Sequence, residues 1–242
     1  MNHHLFNKRG FTLIEVLVAV SIGLLVLSAI YVVISASQKS AAGLERRTAA
    51  QQDARSALAL IEMEIGMASY NPLYRIDSTF WKDPSCVANS AHQEYRGIQE
   101  ATPTRITIEM VTADGNTIGD DPDEIIRYNF DAANQKITRS SLCGNAEDLL
   151  GATTGGLFPK TVRVVNATVP VQNGMGNTAI FRYFDGAGNE LYPDVTPANI
   201  PDIRKIDITL AVDTDSIDPM TNQRRRLIYT GSIIPKNHAM SP

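Results

Sequence analysis

The sequence predicts an α+β protein in which one long N-terminal helix packs on a mainly antiparallel β-sheet domain. Two observations lead to this prediction. The first proline is Pro72, so no proline interrupts a helix before that point. The rest of the chain contains seven runs rich in β-branched and aromatic residues, and no helical stretch separates them.

The helix begins in an apolar segment. Val16 to Gln38 is a run of 23 residues without a charged side chain, and a helix needs roughly 20 such residues to cross a membrane. Lys8 and Arg9 precede the run, and positive charge on that side predicts a cytoplasmic N-terminus. A secretory signal cleaved near residues 35–37 and a plain signal anchor are alternatives. Neither explains Glu15, because a carboxylate in hydrocarbon costs about 2.5–3.5 kcal/mol.

The helix continues beyond the apolar segment as an amphipathic stretch of good helix formers. Small and aliphatic residues recur there every three or four positions, at Ala54, Leu58, Ile61, Ile65 and Ala68. We expect this stripe to lie on the sheet, and the helix to end near Ser69, ahead of Asn71 and Pro72. Residues 72–104 show few periodic signals and predict an irregular connector.

The predicted strands follow this connector. They occupy residues 105–112, 124–131, 136–143, 161–171, 179–185, 204–214 and 224–234. Residues 131–134 (Asp-Ala-Ala-Asn) separate two of these runs and predict a hairpin turn. Gly186, Gly188 and Asn189 predict the end of another strand.

Residues 9–23, RGFTLIEVLVAVSIG, resemble the processing site of type IV pilins and type II secretion pseudopilins. In those proteins a basic leader ends in Gly, and a prepilin peptidase cuts after this Gly and methylates the new N-terminal residue. The resemblance implies cleavage between Gly10 and Phe11, with N-methylation of Phe11. It also implies that Glu15 pairs with the terminal amine of a neighbouring subunit during assembly. A Glu that snorkels at the helix end is the alternative.

The β-rich part more weakly resembles PilW-type minor pilins and J-type pseudopilins, through residues 128–139, RYFDGAGNEL (182–191) and IRKIDITLAVDT (203–214). This resemblance implies a long helix against an antiparallel sheet, often with two small sheets. It implies a non-catalytic minor pilin in a priming or tip complex of a type IV pilus. The implied partners are other minor and major pilins, prepilin peptidase and the inner-membrane assembly platform. The alternatives are a J-type pseudopilin and, in another class, a membrane-anchored adhesin or DNA-binding module.

The expected organisation has four parts. Residues 1–10 are the leader, 11–38 the transmembrane and assembly half of the helix, 39–70 its amphipathic half, and 71–242 the β-rich domain. We expect a single-pass protein of the inner membrane before assembly, and a pilus, extracellular or periplasmic location afterwards. Adhesion, twitching motility and DNA uptake are all open as end uses.

The chain has two cysteines, Cys86 and Cys143. An oxidising compartment permits a disulfide between them, and two separate buried thiols are the alternative. No Cys-x-x-Cys spacing occurs, so neither a zinc site nor a redox motif is predicted.

The stretch from 113 to 124 is rich in oxygen donors. Asp114, Asn116, Asp120, Asp121 and Asp123 are candidate calcium ligands, since Ca²⁺ is bound by six to eight oxygens. The spacing is not that of an EF-hand, and Asp and Asn also build turns without a metal. Turn formation is therefore the favoured interpretation, and no cofactor is predicted.

Nucleic acid and catalysis are not predicted either. Loss of Lys8 and Arg9 with the leader takes the formal net charge from −4 to −6, which does not suit DNA binding. The cluster Arg224–Arg226 is interpreted as protection of an edge strand, with DNA contact as the alternative. The sequence contains neither a Gly-rich phosphate loop nor a G-x-S-x-G motif, so an enzyme is not expected.

Overall fold

The structure is a computed structural model that describes residues 10–72, 80–81, 83–87, 97–112, 118–151, 161–168, 178–191, 195–218 and 221–238. The chain divides into two compact units, Met1–Glu45 and Arg46–Pro242. The first unit contains the apolar part of the long helix. The second contains the remainder of that helix and all the described strands.

Helix α1 spans Leu13–Gly66 and has 54 residues, which corresponds to about 81 Å at 1.5 Å per residue. It ends slightly earlier than predicted. Met67 donates its N–H to the carbonyl oxygens of both Met63 and Glu64, and Ser69 has a φ of 65°. The Ser69 N–H then donates to the Glu109 carbonyl at 2.9 Å. This bond to the sheet, and not Pro72, turns the chain away from the helix axis.

The first sheet is an antiparallel meander of five described strands in the order β1-β2-β3-β4-β5. The strands are β1 Ile98–Ala101, β2 Arg105–Glu109, β3 Ile125–Asp131, β4 Lys136–Ser141 and β5 Glu147–Leu150. The predicted hairpin turn joins β3 to β4, where the Asn134 N–H donates to Asp131 Oδ1 at 3.0 Å. The two edge strands, β1 and β5, were not predicted. Their sequences, IQEA and EDLL, lack β-branched alternation, and pairing with a neighbouring strand makes them extended.

The second sheet has four described strands around a long central one. They are β6 Val162–Val164, β7 Phe181–Phe184, β8 Lys205–Thr214 and β9 Arg226–Ile233. Strands β6 and β7 pair with opposite ends of β8, while β9 pairs along most of its length, all antiparallel.

Strand β6 is shorter than the predicted run 161–171, whose last three residues lie outside the description. The amide side chain of Asn166 explains where the strand stops. Its Nδ2 donates to the Thr209 carbonyl at 2.7 Å, and its Oδ1 accepts from the Ala211 N–H at 2.9 Å. The side chain therefore replaces a backbone pairing, and a short 3-10 helix, Asn166–Thr168, follows.

The predicted stripe on α1 packs into the main hydrophobic core, which confirms the fold class. Its five members are buried, together with Ala50 and Ala57. The core also contains residues of both sheets, among them Ile106, Tyr128 and Phe181. Alanines on the stripe let the helix backbone approach the sheets closely, as at Gly231 of β9, which lies against Leu58 and Glu62.

A buried polar network also joins α1 to the first sheet. Glu64 accepts hydrogen bonds from the Tyr128 hydroxyl and from Arg139, whose Nη2 lies 2.8 Å from Glu64 Oε1. Arg139 also reaches Asp123 Oδ1 at 2.9 Å and Ser141 Oγ at 2.8 Å. Burial, and then the Glu64 carboxylate, raise the pKa of Tyr128 well above its usual value. The side chains of Glu64, Tyr128 and Arg139 thus all have charge-assisted partners.

Candidate processing and assembly site

The proposed cleavage site lies on exposed backbone immediately ahead of α1. Gly10 is exposed, and Phe11 is 88% exposed. No heavy atom lies within 4 Å of the position where a Cβ on Gly10 would stand. The described residues therefore place no obstacle in front of a protease at this peptide bond, and residues 1–9 of the leader lie outside the description.

Glu15 belongs to a capping box at the start of α1. Its Oε2 accepts the Thr12 N–H at 2.9 Å and the Thr12 hydroxyl at 3.0 Å. The Glu15 N–H in turn lies 3.3 Å from Thr12 Oγ1. This is the reciprocal arrangement of a Thr at the N-cap and a Glu three residues later, which satisfies N–H groups that the first helical turn leaves without partners.

This local role of Glu15 was not predicted, although the pattern Thr-x-x-Glu indicates it. An acid in an apolar segment is thus partly explained within its own chain. Within the described residues, both bonds from Thr12 end on Oε2, and Oε1 accepts no hydrogen bond. One carboxylate oxygen remains available for a further partner at the helix N-terminus.

The first part of α1 presents an almost continuous apolar surface. The large side chains between Phe11 and Ile34 are all at least 49% exposed. None of the most apolar 18-residue window of the helix is buried within the molecule, and the helix is long and apolar enough to cross a membrane. A continuous apolar surface of this kind is typical of a segment that contacts lipid or other chains.

The two serines in this segment are compatible with hydrocarbon. Ser21 Oγ donates to the Leu17 carbonyl, and Ser28 Oγ donates to the Leu25 carbonyl, each at 2.8 Å. Because each hydroxyl bonds within its own helix, neither donor needs water or a neighbouring chain.

The two cysteines are bonded to each other on the first sheet. Cys86 and Cys143 form a disulfide with Cα atoms 5.2 Å apart. Arg127 of β3 donates from Nη1 to the Cys86 carbonyl at 2.7 Å. Together these contacts attach the short described segment 83–87 to the sheet.

The candidate calcium ligands separate into two groups in the structure. Asp120 and Asp121 lie together, with Glu124 beside them, whereas Asp123 pairs with Arg139. Asp114 and Asn116 lie outside the described residues. In the turn that follows β7, Asp185 accepts the Ala187 and Asn189 N–H groups and so stabilises the turn itself. Hydrogen bonds from Asn189 lower the pKa of Asp185.

The basic cluster lies where β9 begins. Arg226 forms an ion pair with Asp213 of β8, with Nε 2.8 Å from Oδ1. Arg224 Nε donates to the Asp215 carbonyl at 3.2 Å. These contacts link β9 to the adjoining strand, so two of the three guanidinium groups already have partners in the protein.

Comparison with known proteins gives one match. Residues 5–31 match the family described as the prokaryotic N-terminal methylation motif. No curated protein and no solved structure matches the chain. The matched range contains Gly10, Phe11 and the capping box, and it continues into the apolar surface. The motif, with the fold of a long helix on antiparallel sheets, supports a type IV pilin or pseudopilin, which is a structural protein of the membrane and of pilin assemblies.

Proposed function

We propose that this chain is a PilW-type minor pilin. In this proposal a prepilin peptidase cuts it between Gly10 and Phe11 and methylates the Phe11 amine. The processed chain then joins other minor pilins in a complex that primes the pilus or caps its tip. The observation that carries the proposal is the exposed apolar surface of α1, which begins directly at the processing motif.

The proposal assigns two successive environments to that surface. Before assembly, lipid covers it in the inner membrane. During assembly, the equivalent helices of other subunits replace the lipid. Water is excluded in both environments, so the surface is never exposed to solvent.

Glu15 has a specific task in this scheme. Cleavage creates an ammonium group on Phe11, and a buried ammonium or carboxylate alone costs several kcal/mol. The Glu15 carboxylate, already oriented by Thr12, is proposed to accept the Phe11 amine of a neighbouring subunit through its remaining oxygen. The capping box then holds the carboxylate in place for this contact.

The first test is the chemistry of the N-terminus. The full chain is expressed with and without a prepilin peptidase, and its N-terminal sequence and intact mass are determined. We expect a methylated chain that begins at Phe11 only when the peptidase is present. A cut near residues 35–37, or an uncut chain in both cells, would refute the proposal.

Two glycines provide a matched pair for the same assay. Gly10 and Gly23 both have open space where a Cβ would stand, so an added side chain begins without a clash at either position. We expect Gly10→Val to abolish processing and Gly23→Val to leave it intact. Equal processing of both variants would place the cut elsewhere.

A second pair separates the two roles of Glu15. Glu15→Gln keeps a capping-box residue but removes the charge, whereas Thr12→Val removes the cap and keeps the charge. The readout is the fraction of processed chain recovered in sheared surface filaments. We expect Glu15→Gln to lower this fraction much more than Thr12→Val. The reverse order would limit Glu15 to helix capping.

A J-type pseudopilin of a type II secretion system is the second candidate, because the methylation motif supports either machine. Deletion of the chain separates the two. Loss of surface pili with normal export of secreted enzymes fits a minor pilin, and the opposite result fits a pseudopilin. Glycan or DNA binding by the purified chain at physiological salt would instead favour an adhesin or a DNA receptor.

A further inference from the structure

The loop that leads into β3 contains a compact group of three carboxylates, which we name the loop cluster. Its members are Asp120, Asp121 and Glu124. One carboxylate oxygen from each residue lies within 4.8 Å of the others. Asp120 is exposed, Asp121 is half-buried and Glu124 is buried. Three like charges at this distance repel one another unless something compensates them.

Glu124 is the most deeply buried member of the loop cluster. The residue is 0% exposed, and its Oε2 accepts the N–H groups of Gly119, Asp120 and Asp121 at 2.8, 3.2 and 3.3 Å. The loop is thus wrapped around this carboxylate. Its other oxygen, Oε1, is enclosed and has no hydrogen-bond partner. A buried acceptor without a partner is costly, and more so when it carries charge.

The surrounding charges do not compensate for this arrangement. Asp123 is directed to Arg139, which in turn bonds Glu64. Among the described residues, no lysine or arginine forms an ion pair with a member of the loop cluster. A bound cation would neutralise the Glu124 carboxylate, which carries this unpartnered oxygen, and would remove the repulsion.

We propose that the loop cluster is a Ca²⁺ site. All three donors are carboxylate oxygens, which hard divalent cations prefer. Ca²⁺ binds oxygens at about 2.3–2.6 Å, so two ligands on opposite sides of one ion are about 4.6–5.2 Å apart. The three carboxylate oxygens, all within 4.8 Å of one another, therefore occupy a region about the size of one Ca²⁺ coordination shell. The irregular and incomplete donor set suits Ca²⁺ better than Mg²⁺, which demands a near-ideal octahedron.

The structure thus changes the residue set that the sequence suggested. Asp120 and Asp121 remain candidate calcium ligands, and Glu124 is added to them. Asp123 is excluded because it faces Arg139. With three protein ligands and water in the other positions, we expect a Kd of about 10⁻⁴–10⁻³ M, the range of extracellular calcium modules. The calcium site does not depend on the proposed pilus role, so an experiment can refute either proposal without refuting the other.

The single tryptophan offers a direct probe. Trp81 packs in one hydrophobic cluster with Ile118 and Ile125, which bracket the loop cluster. Tb³⁺, a luminescent substitute for Ca²⁺, is therefore expected to emit when Trp81 of the full chain in detergent is excited. CaCl₂ should displace it. Thermal unfolding after EDTA treatment should show a Tm that rises by about 3–6 °C when CaCl₂ reaches ten times Kd.

Variants of neighbouring aspartates make the test specific. Asp120→Asn combined with Asp121→Asn should weaken Ca²⁺ binding at least tenfold. Asp123→Asn, which removes an adjacent acid outside the loop cluster, should change it less than twofold. The proposal is overturned if 10 mM CaCl₂ neither displaces Tb³⁺ nor raises the Tm. It is also overturned if the double variant binds Ca²⁺ as tightly as the natural chain does. A rise in the Tm of the natural chain with MgCl₂ that equals the rise with CaCl₂ would overturn it as well.

Discussion

Replacement of Glu64 by Gln tests whether the buried polar network holds α1 on the first sheet. Glu64 is only 7% exposed, and it accepts hydrogen bonds from Tyr128 and from the Nε and Nη2 groups of Arg139. The variant has nearly the same shape, so it leaves no cavity. It removes the charge and turns an amide NH₂ towards the guanidinium donors.

The loss of stability expected for Glu64→Gln depends on which partners Arg139 keeps. Removal of one member of a buried ion pair costs about 3–5 kcal/mol when the other is left unpaired. Arg139 keeps Asp123 and Ser141 as partners, so we expect a smaller loss of about 2–3 kcal/mol. For a unit of this size that loss lowers the Tm by about 5–10 °C.

Asp123→Asn is the matched control, because it removes a carboxylate from the same arginine on the solvent side. The Asp123 side chain is 65% exposed, and exposed ion pairs contribute about 0.5 kcal/mol. The assay is thermal unfolding of the full chain in detergent, followed by Trp81 fluorescence. A Glu64→Gln variant no less stable than Asp123→Asn would refute the argument that burial decides the value of this network.

Three further predictions use the same assay. Gly97→Ala should destabilise by about 1–3 kcal/mol, because a Cβ there would lie 2.3 Å from a backbone oxygen of β2. Gly231→Ala should cost less despite a closer contact of 1.8 Å, because that contact is the movable end of a glutamate side chain on α1; the reverse order would contradict the argument. Replacing both cysteines with alanine should cost about 4 kcal/mol, given their separation of 57 residues, and an unchanged Tm would contradict this. Hydrogen bonds from Arg182 lower the pKa of Glu190, so this pair stabilises the fold above the unfolded pKa of about 4.3. That contribution disappears as the pH falls through the lower folded pKa. Glu190→Gln should therefore lower the free energy of unfolding by about 0.5 kcal/mol at neutral pH and leave it unchanged at acid pH; an equal loss at both pH values would contradict this.

The parts of the fold that local pattern determines were predictable from sequence. The stripe on α1 repeats at helical spacing, and the strands β3, β4 and β8 contain β-branched and aromatic residues near the predicted bounds. By contrast, β1 and β5 are extended because a neighbour pairs with them, and no residue type in IQEA or EDLL indicates this. The end of α1 likewise depends on a hydrogen bond from Ser69 to a distant strand.

The candidate sites also differ in whether local sequence or the tertiary fold determines them. The processing motif is contiguous, so its residues could be identified from the sequence alone, and the capping box was equally readable through Thr12. The loop cluster was not, because it depends on which carboxylate is enclosed. Sequence alone treats Asp123 and Glu124 as adjacent acids, while the fold directs one to Arg139 and encloses the other.

The position of β9 has a consequence for the order in which the protein can mature. This strand is the last described element, yet it pairs with β8 and contacts α1, where Arg55 lies over the Tyr229 ring. About 170 residues separate Arg55 from Tyr229, and nearly all of them must be present before the main core can close. Until then the buried face of α1 and the outer edge of β8 are uncovered, a state that invites aggregation. A chain that lacks only β9 would therefore leave its main core open, although it retains every other described strand.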